Sequence, residues 1–582
     1  MKGLKNICFA LVIISLLSLN IYSADSTEFL YLADISPGME GQAKTVFQGT
    51  DVESFPVEVI DIIKGDLDSD LILIEAYGEK IDKAGGIASG MSGSPVYIDD
   101  QLIGAIGYGW DDSPEYALVT PIEYMLDLFS YNQNFAKNSD QIIPLKTPLV
   151  VSGLDGRALD MLETGLSNFE LDVIPEAAGR ETPEDEFVFE AGSAIAVQMV
   201  RGDVNAAALG TLTYRDGDDF LALGHPFTER GEVSYSVSGA RINKIIPGNN
   251  SISFKLGSPL EELKGVVNVD RGAGIAGSLN RYPQVIPLQV EVTDLDRDVS
   301  QKINTQLTND QYLLTSLGNS IVLQVIDSTI DRLGEGTAYS NIKIKSSAFP
   351  DWEIESQNIY YNQNDVAVSP LNEITELFNL IAFNPFERAR IFDIKVEVDV
   401  TQDNKSAILQ RAEVVNDDIE PGDDLKILID ILPYRGEIIT EEVKFQLPEN
   451  IEPGTANLVI EGGFSAFGSF HSEEVDPDEQ FEELGEYEVF REGYKDLEEM
   501  IDEFLKRPRN NEVAVRFIPD MGPPFQNEEV ETENDFFTDE ILETIDTDYV
   551  VEGTLDLELN ISGEEEIPER EGIEEVPEGE EE

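Results

Sequence analysis

The alternation of apolar and polar residues predicts a mainly β protein. Runs of period two, such as residues 55–60 and 71–74, are typical of strands with one buried face. Similar runs, separated by Pro, Gly, Asn and Asp, continue to about residue 463 in the manner of β-sandwich modules. Helical signals are fewer and cover residues 121–129, 158–166 and 494–505.

One internal similarity indicates that the strand-rich region has two related halves. Residues 93–99 (Gly-Ser-Pro-Val-Tyr-Ile-Asp), followed by Ala-Ile-Gly-Tyr at 105–108, match residues 210–216 (Gly-Thr-Leu-Thr-Tyr-Arg-Asp), followed by Ala-Leu-Gly-His at 222–225, without a gap. Each copy predicts a β-hairpin with an acidic turn. Repetition of a hairpin-bearing unit predicts a double β-barrel.

These patterns divide the chain into seven segments. We predict a signal peptide (1–24), a first half-domain (28–130), a connector (131–190), a second half-domain (191–290), one or two β-sandwich modules (291–463), a small α+β segment (464–522) and an acidic, disordered tail (523–582).

The charge of the chain restricts its partners. The 582 residues include 115 Asp and Glu against 39 Lys and Arg, a formal net charge of −76. Nucleic acid is excluded as a partner, because phosphate binding requires clustered basic residues. The acidic excess is spread along the chain, which favours adaptation to high salt over a single binding patch. The acidic clusters at 66–70 and 294–298 lack the glycine and closing glutamate of a calcium loop, so no metal and no cofactor is predicted.

The N-terminus has the form of a secretory signal peptide. Two lysines precede a short apolar run at residues 7–19, and small residues follow at Ser23 and Ala24. The sole cysteine, Cys8, lies inside this segment, so the mature chain would have no disulfide and no thiolate nucleophile. We therefore expect export to the periplasm, cell envelope or medium, with no stable membrane insertion after removal of the signal.

Ser92 is the candidate nucleophile. It lies in the run Gly-Met-Ser-Gly-Ser-Pro at 90–95, directly before a predicted strand. Glycines on both sides of a serine permit a tight turn that exposes the hydroxyl and directs backbone amides at a developing oxyanion. The predicted donors are the amides of Gly90 and Ser92. Gly-rich turns also enter strands without any catalytic role.

The chain has only two histidines, and imidazole is the usual base for a serine hydroxyl near neutral pH. His471 lies in an acidic, loop-like stretch and is predicted to be a solvated bystander. His225 directly follows the second predicted hairpin, which makes it the candidate general base.

Both motifs resemble those of a known peptidase family. Residues 84–95 are similar to the serine motif of the stage IV sporulation protein B peptidases, a family of chymotrypsin-like serine endopeptidases, and residues 210–225 are similar to its histidine motif. The resemblance covers roughly residues 30–130 and 190–280. It implies a chymotrypsin-like double β-barrel, with Ser92 as nucleophile and His225 as base.

The chain departs from that family in three respects, one of which is that it shows no PDZ-like segment. In the family the histidine half precedes the serine half, whereas here Ser92 comes first, so we expect the halves in permuted order. Geometry and not chain order defines a catalytic triad, so this order is compatible with activity. The acid of the family lies a little upstream of the serine motif, where Asp82 is the nearest candidate, with Glu79 and Asp203 as alternatives.

Three functions are compatible with these observations. The leading hypothesis is an exported serine endopeptidase that cleaves protein or peptide substrates. The alternative is a catalytically inactive, peptidase-like envelope protein that binds peptides or wall polymer, with Ser92 and His225 too far apart for a hydrogen bond or with a blocked oxyanion turn. A third is a protein that cleaves itself once, in the loop at 181–186. The sequence leaves the specificity and the oligomeric state open.

Overall fold

The computed structural model describes residues 28–65, 70–110, 112–130, 145–169, 171–176, 187–248, 253–349, 351–449, 451, 453–463, 494–519 and 542–562. The predicted signal peptide, the loop at 181–186, His471 and the end of the chain after 562 lie outside these residues.

The first part of the described chain is a closed antiparallel barrel, which we call the serine barrel. Its strands are β1 (Glu40–Thr45), β2 (Glu53–Ile63), β3 (Leu71–Ala76), β4 (Pro95–Ile98), β5 (Gln101–Gly109) and β6 (Tyr116–Pro121), with helices α1 (Glu79–Ala84) and α2 (Ile122–Leu126) after β3 and β6. The strands pair in the order β1-β2-β3-β6-β5-β4, and β4 returns to β1. Inward apolar residues alternate with more exposed ones, as at Phe55, Val57 and Val59 of β2.

A second closed barrel, the histidine barrel, follows a short connector. The connector contains β7 (Thr147–Ser152), α3 (Gly156–Gly165) and β8 (Leu171–Pro175), and the barrel contains β9 (Ala194–Gly202), β10 (Asn205–Asp216), β11 (Asp219–Ala222), β12 (Gly231–Ile246), β13 (Phe254–Arg271) and β14 (Gly274–Leu279). Hydrogen-bonded pairs run β9-β10-β11-β14-β13-β12, and β12 pairs back to β9. Counted from one to six, the strands of both barrels have the same cyclic order.

The double barrel was predicted from the repeated hairpin, but the two copies are not equivalent strands. The first copy forms β4 and β5, the fourth and fifth strands of its barrel. The second copy forms β10 and β11, which are the second and third. The similarity of the two hairpins therefore predicted the double barrel correctly, but it equated strands that occupy different positions in their barrels.

An α+β layer extends the sheet of the histidine barrel. It contains β15 (Val285–Asp294), β16 (Val299–Thr308), α4 (Gln311–Ile330), β17 (Gly336–Ser346), β18 (Ile354–Asn362), α5 (Leu371–Phe383) and β19 (Ile391–Thr401). The strand order is β18-β17-β19-β15-β16, and β16 continues onto β9. The central helix α4 packs against β15, β16 and α5.

This layer corrects the predicted sandwich at 291–463, whose first part is neither a sandwich nor all β. Because α4 is buried on nearly every side, it lacks the one-sided apolar stripe that reveals a helix, and its Ile and Val residues suggested strands. By length and composition alone α4 could cross a membrane, but 67% of its most apolar window is buried inside the structure, as in a core helix.

Two four-stranded sheets form a sandwich at the end of the described chain. Its strands are β20 (Ser406–Val414), β21 (Asp424–Pro433), β22 (Ile439–Gln446), β23 (Gly454–Gly462), β24 (Glu512–Pro519), β25 (Leu542–Asp546), β26 (Val550–Glu552) and β27 (Thr554–Ile561). The helix α6 (Leu497–Leu505), between β23 and β24, packs instead into the apolar core that the histidine barrel shares with the α+β layer. The sheets β22-β21-β20-β26 and β25-β24-β23-β27 share one apolar core. The tail predicted to begin at residue 523 therefore includes three strands. Their alternation, Leu-Asp-Leu-Glu-Leu-Asn-Ile at 555–561, was obscured in the sequence by the surrounding acidic residues.

Candidate active site

The two barrels meet through one turn from each. The serine turn, residues 85–94, leads from α1 into β4, and the histidine turn, residues 223–228, leads from β11 towards β12. In both barrels this turn lies between the third and the fourth strand. Their shared connectivity thus brings two Gly-containing turns to a common seam, where the Thr211 amide donates to the Ser92 carbonyl at 2.8 Å.

Gly93 is a point of close approach between the barrels. Its φ is +93°, and a Cβ atom there would lie 2.0 Å from the Thr211 carbonyl oxygen and 2.5 Å from the Leu223 nitrogen. Both are backbone atoms that cannot move aside as a flexible side chain would. Only glycine fits, and it holds the neighbouring Ser92 against the histidine barrel.

The serine turn leaves two of its backbone amides unpaired. Four neighbouring amides donate to backbone carbonyls at 2.7–2.9 Å: those of Ser89, Met91, Gly93 and Ser94. Among the described residues, the amides of Gly90 and Ser92 have no acceptor. Buried N–H groups without an acceptor are rare, and two at alternate positions can bind one anionic oxygen. They are the two donors that the sequence predicts for an oxyanion hole.

Ser92 and His225 are both buried, and each has an unpartnered side-chain atom. Ser92 is 0% exposed, and its Oγ makes no hydrogen bond with any described residue. His225 is 1% exposed, and its Nδ1 lies 2.7 Å from the Pro226 carbonyl oxygen. Because a carbonyl oxygen only accepts, Nδ1 carries the proton and Nε2 keeps a basic lone pair. Within the described part of the chain, that Nε2 has no partner either.

Burial determines the charge state of His225. It lowers the pKa of the imidazole to about 4, an effect only partly opposed by the hydrogen bond to Pro226. The ring is therefore neutral near pH 7 and able to accept a proton. No hydrogen bond joins Ser92 Oγ to His225 Nε2 in this structure, so the two groups share one seam without being engaged.

Three buried threonine hydroxyls cross the seam and fix both turns. Thr211 and Thr213 of β10 donate to the carbonyls of Gly90 and Gly93, at 3.1 and 2.8 Å. In the opposite direction, Thr120 of β6 donates to the Gly224 carbonyl at 2.5 Å. Each barrel therefore holds the functional turn of the other. Sequence reasoning missed this role, although Thr211 and Thr213 lie within the segment that resembles a histidine motif.

None of the three acids proposed from the sequence forms a hydrogen bond with His225. Asp82 and Glu79 are exposed on α1, where Glu79 pairs with Lys83 at 2.6 Å. Asp203 is exposed in the hairpin between β9 and β10 and accepts from the Asn304 amide at 2.7 Å. In the described chain, the sole hydrogen bond of the imidazole goes to Pro226. The assignment of an acid to Asp82, Asp203 or Glu79 stays a prediction.

Asp270 is the carboxylate that the structure ties to the histidine turn. It is fully buried at the end of β13 and accepts from the Phe227 amide, the Thr228 amide and the Thr228 hydroxyl at 2.6–2.8 Å. Burial raises its pKa, although these donors act in the opposite sense. Asp270 therefore fixes the backbone directly after the carbonyl that orients His225. Its distance of 45 residues along the chain from His225 gave the sequence analysis no signal.

Two six-stranded antiparallel barrels of one connectivity, with a serine turn and a histidine turn at their seam, define a chymotrypsin-like fold. Residues 17–126, about a fifth of the chain, match the family model SpoIVB peptidase S55. The matched segment contains Ser92 and ends before His225, and it supports a serine peptidase of the SpoIVB type. No curated protein and no solved structure matches the chain significantly.

Within the described ranges, no group of three or more His, Cys, Asp or Glu side chains could hold a metal ion.

Proposed function

We propose that this chain is an exported serine endopeptidase that acts on proteins or peptides through Ser92 and His225. The observation that carries the proposal is the state of the serine turn. Two unpaired buried amides flank an unpartnered hydroxyl, and the unprotonated nitrogen of a neutral imidazole lies at the same seam.

The proposed reaction proceeds through acylation and then deacylation of Ser92. Ser92 Oγ attacks the peptide carbonyl carbon while His225 Nε2 takes its proton, and the amides of Gly90 and Ser92 bind the oxyanion. The imidazolium then returns the proton to the leaving amine, and water releases the acyl group by the same route. Neither Oγ nor Nε2 must break a hydrogen bond with a described residue in order to approach the other.

The Pro226 carbonyl orients the imidazole of His225, which is one of the roles of the acid in a catalytic triad. It fixes the tautomer that leaves Nε2 basic, but it carries no negative charge to stabilise an imidazolium. We therefore expect turnover slower than that of a peptidase with a full triad.

The test is covalent labelling of the purified mature protein with a fluorescent fluorophosphonate, in low and in molar salt. We expect labelling of the wild type and its loss in Ser92→Ala and His225→Ala. Ser94→Ala is the matched control, because Ser94 is equally buried and its Oγ is equally unpartnered among the described residues, but no unpaired amides flank it. Labelling should survive in that variant.

The same experiment decides between the peptidase and an inactive, peptide-binding scaffold. The absence of a Ser92–His225 hydrogen bond and the burial of both groups favour the scaffold. A folded wild-type protein that labels under neither salt condition would contradict the peptidase and favour the scaffold.

A further inference from the structure

Lys255 of β13 is a fully buried lysine that forms no ion pair with any described residue. Its Nζ donates to the Thr45 hydroxyl at 2.7 Å and to the Thr211 hydroxyl at 3.4 Å. Burial alone lowers the pKa of this amine to about 7. A buried amine without a compensating charge is costly to the fold, and such groups concentrate at functional sites.

The lysine lies directly against the serine turn. Its backbone amide donates to the Ser89 carbonyl at 2.9 Å, and its Cβ, Cγ and Cδ atoms lie 3.1–3.3 Å from the place where a Cβ of Gly90 would be. The Ser89 carbonyl and the Gly90 N–H belong to one peptide unit. The bond from Lys255 therefore fixes the direction of an N–H group that we assign to the oxyanion hole.

Thr211 connects the amine to the same turn. Its hydroxyl receives the hydrogen bond from Lys255 Nζ and donates to the Gly90 carbonyl. A neutral amine has two N–H groups, which these two hydroxyls satisfy, whereas an ammonium has a third that finds no described acceptor. A proton on Lys255 thus places an unneutralised positive charge one hydroxyl away from the oxyanion turn.

The groups that the structure places against Lys255 are uncharged: Thr45 on β1 and Thr211 on β10 at the amine, Gly90 of the serine turn along the stem, and Ile245 on β12 opposite its backbone. Desolvation is the sole cause of its pKa shift. The titratable residues of the strands that pack around it are Glu40 and Lys44 of β1, Tyr214, Arg215 and Asp216 of β10, Glu232, Tyr235, Arg241 and Lys244 of β12, and Glu261, Glu262, Lys264, Asp270 and Arg271 of β13.

We propose that Lys255 is a positioning residue of the peptidase site, which holds the oxyanion turn through Ser89 and Thr211 and, when protonated, favours the negative charge that develops there. This inference rests on the proposed function. It differs from a role as general base, because Nζ is bonded to Thr45 and Thr211 and not to Ser92 Oγ. The two roles predict opposite pH dependences.

The experiment measures the second-order rate of fluorophosphonate labelling from pH 5.5 to 9 in the full-length protein. In the wild type we expect the rate to fall about tenfold with a midpoint near 7, as Lys255 loses its proton. Lys255→Met keeps the length of the stem and should be slow and flat over this range. Lys264→Met is the matched control from the same strand, since Lys264 pairs with Glu262 away from the turn, and it should keep the wild-type profile.

A second variant distinguishes the effect of the charge on Lys255 from the structural support that Lys255 gives to the serine turn. Thr45→Val leaves the lysine in place but removes the closer acceptor of Nζ, so the midpoint should move down by about one pH unit. This variant also serves if Lys255→Met does not fold.

Three results would overturn the inference. If the midpoint of the labelling rate stays near pH 7 in Lys255→Met or Thr45→Val, the pH dependence does not come from Lys255. Ser92-dependent labelling would still support the peptidase in that case. A wild-type rate that rises through pH 7 indicates a base and not an electrostatic role. Absence of Ser92-dependent labelling in the wild type overturns the proposed function and this inference together.

Discussion

Three buried ionisable side chains lie at or beside the seam without an opposite charge among the described residues. His225 and Lys255 have lowered pKa values and Asp270 a raised one, and desolvation is the largest cause in each case. All three shifts favour the neutral form. The protein carries a net charge of −76, yet burial shifts each of these three groups towards its neutral form. In such surroundings, free backbone dipoles act on a developing charge with little competition from fixed ions.

The lowered pKa of His225 predicts a specific loss of stability in acid. The unfolded imidazole binds a proton below about 6.5, whereas the folded one stays neutral down to about 4, so the free energy of unfolding falls as the pH drops through this window. Between pH 7 and 5.5 the wild type should lose roughly 1 kcal/mol relative to His225→Gln. Urea unfolding of both proteins at the two pH values measures the difference.

His471→Gln is the control substitution for the other histidine, which the sequence predicts to be solvated. It should follow the wild type at both pH values. An equal response of His225→Gln and the wild type to acid would contradict the burial of a neutral His225.

At the scale of elements, the two candidate catalytic residues, Ser92 and His225, lie in the connection between the third and the fourth strand of their barrels. Such a connection can be remodelled without breaking the barrel, but here each is fixed by hydroxyls of the opposite barrel. The geometry of each turn therefore depends on strands to which it is not covalently adjacent.

Gly93→Ala tests this dependence. The new methyl group would meet two backbone atoms of the histidine barrel at a positive φ, so we expect a loss of more than about 4 kcal/mol in the free energy of unfolding and no labelling. Gly217→Ala is the matched control: it also has a positive φ, but a Cβ there meets nothing within 4 Å. It should cost only about 1 kcal/mol. Equal urea midpoints for the two variants would show that the barrels do not approach closely at Gly93.

Much of the strand content could be predicted from the sequence, because inward and outward residues alternate visibly. Residues 55–60 lie in β2, and residues 71–74 lie in β3. The helix α4 could not be found by the same reasoning, since burial on all sides removes the periodicity. The glycines around Ser92 indicated the candidate nucleophile turn through a local steric rule. Lys255 and Asp270 gave no local signal, because their importance comes from partners far away in the chain.

For the whole molecule, charge is the dominant feature. Even with every Lys and Arg paired, 76 negative charges have no partner, and their repulsion opposes the compact state. The thermal midpoint should therefore rise with NaCl between about 0.1 and 1 M, as the screening length falls from about 10 to 3 Å. The same series at pH 5, closer to the sequence pI of about 4.1, should be less steep. A midpoint independent of salt at neutral pH would contradict the high-salt adaptation inferred from composition.

The reciprocal threonine bonds at the seam have a consequence for engineering. Neither barrel contains a complete set of the proposed groups, and each also lacks the hydroxyls that shape its own turn. If the chain were divided within the connector and expressed as two fragments, fluorophosphonate reactivity would then appear only upon their reassociation. The seam would then act as a complementation reporter, because fluorophosphonate reactivity would measure directly whether the two separately expressed halves have associated.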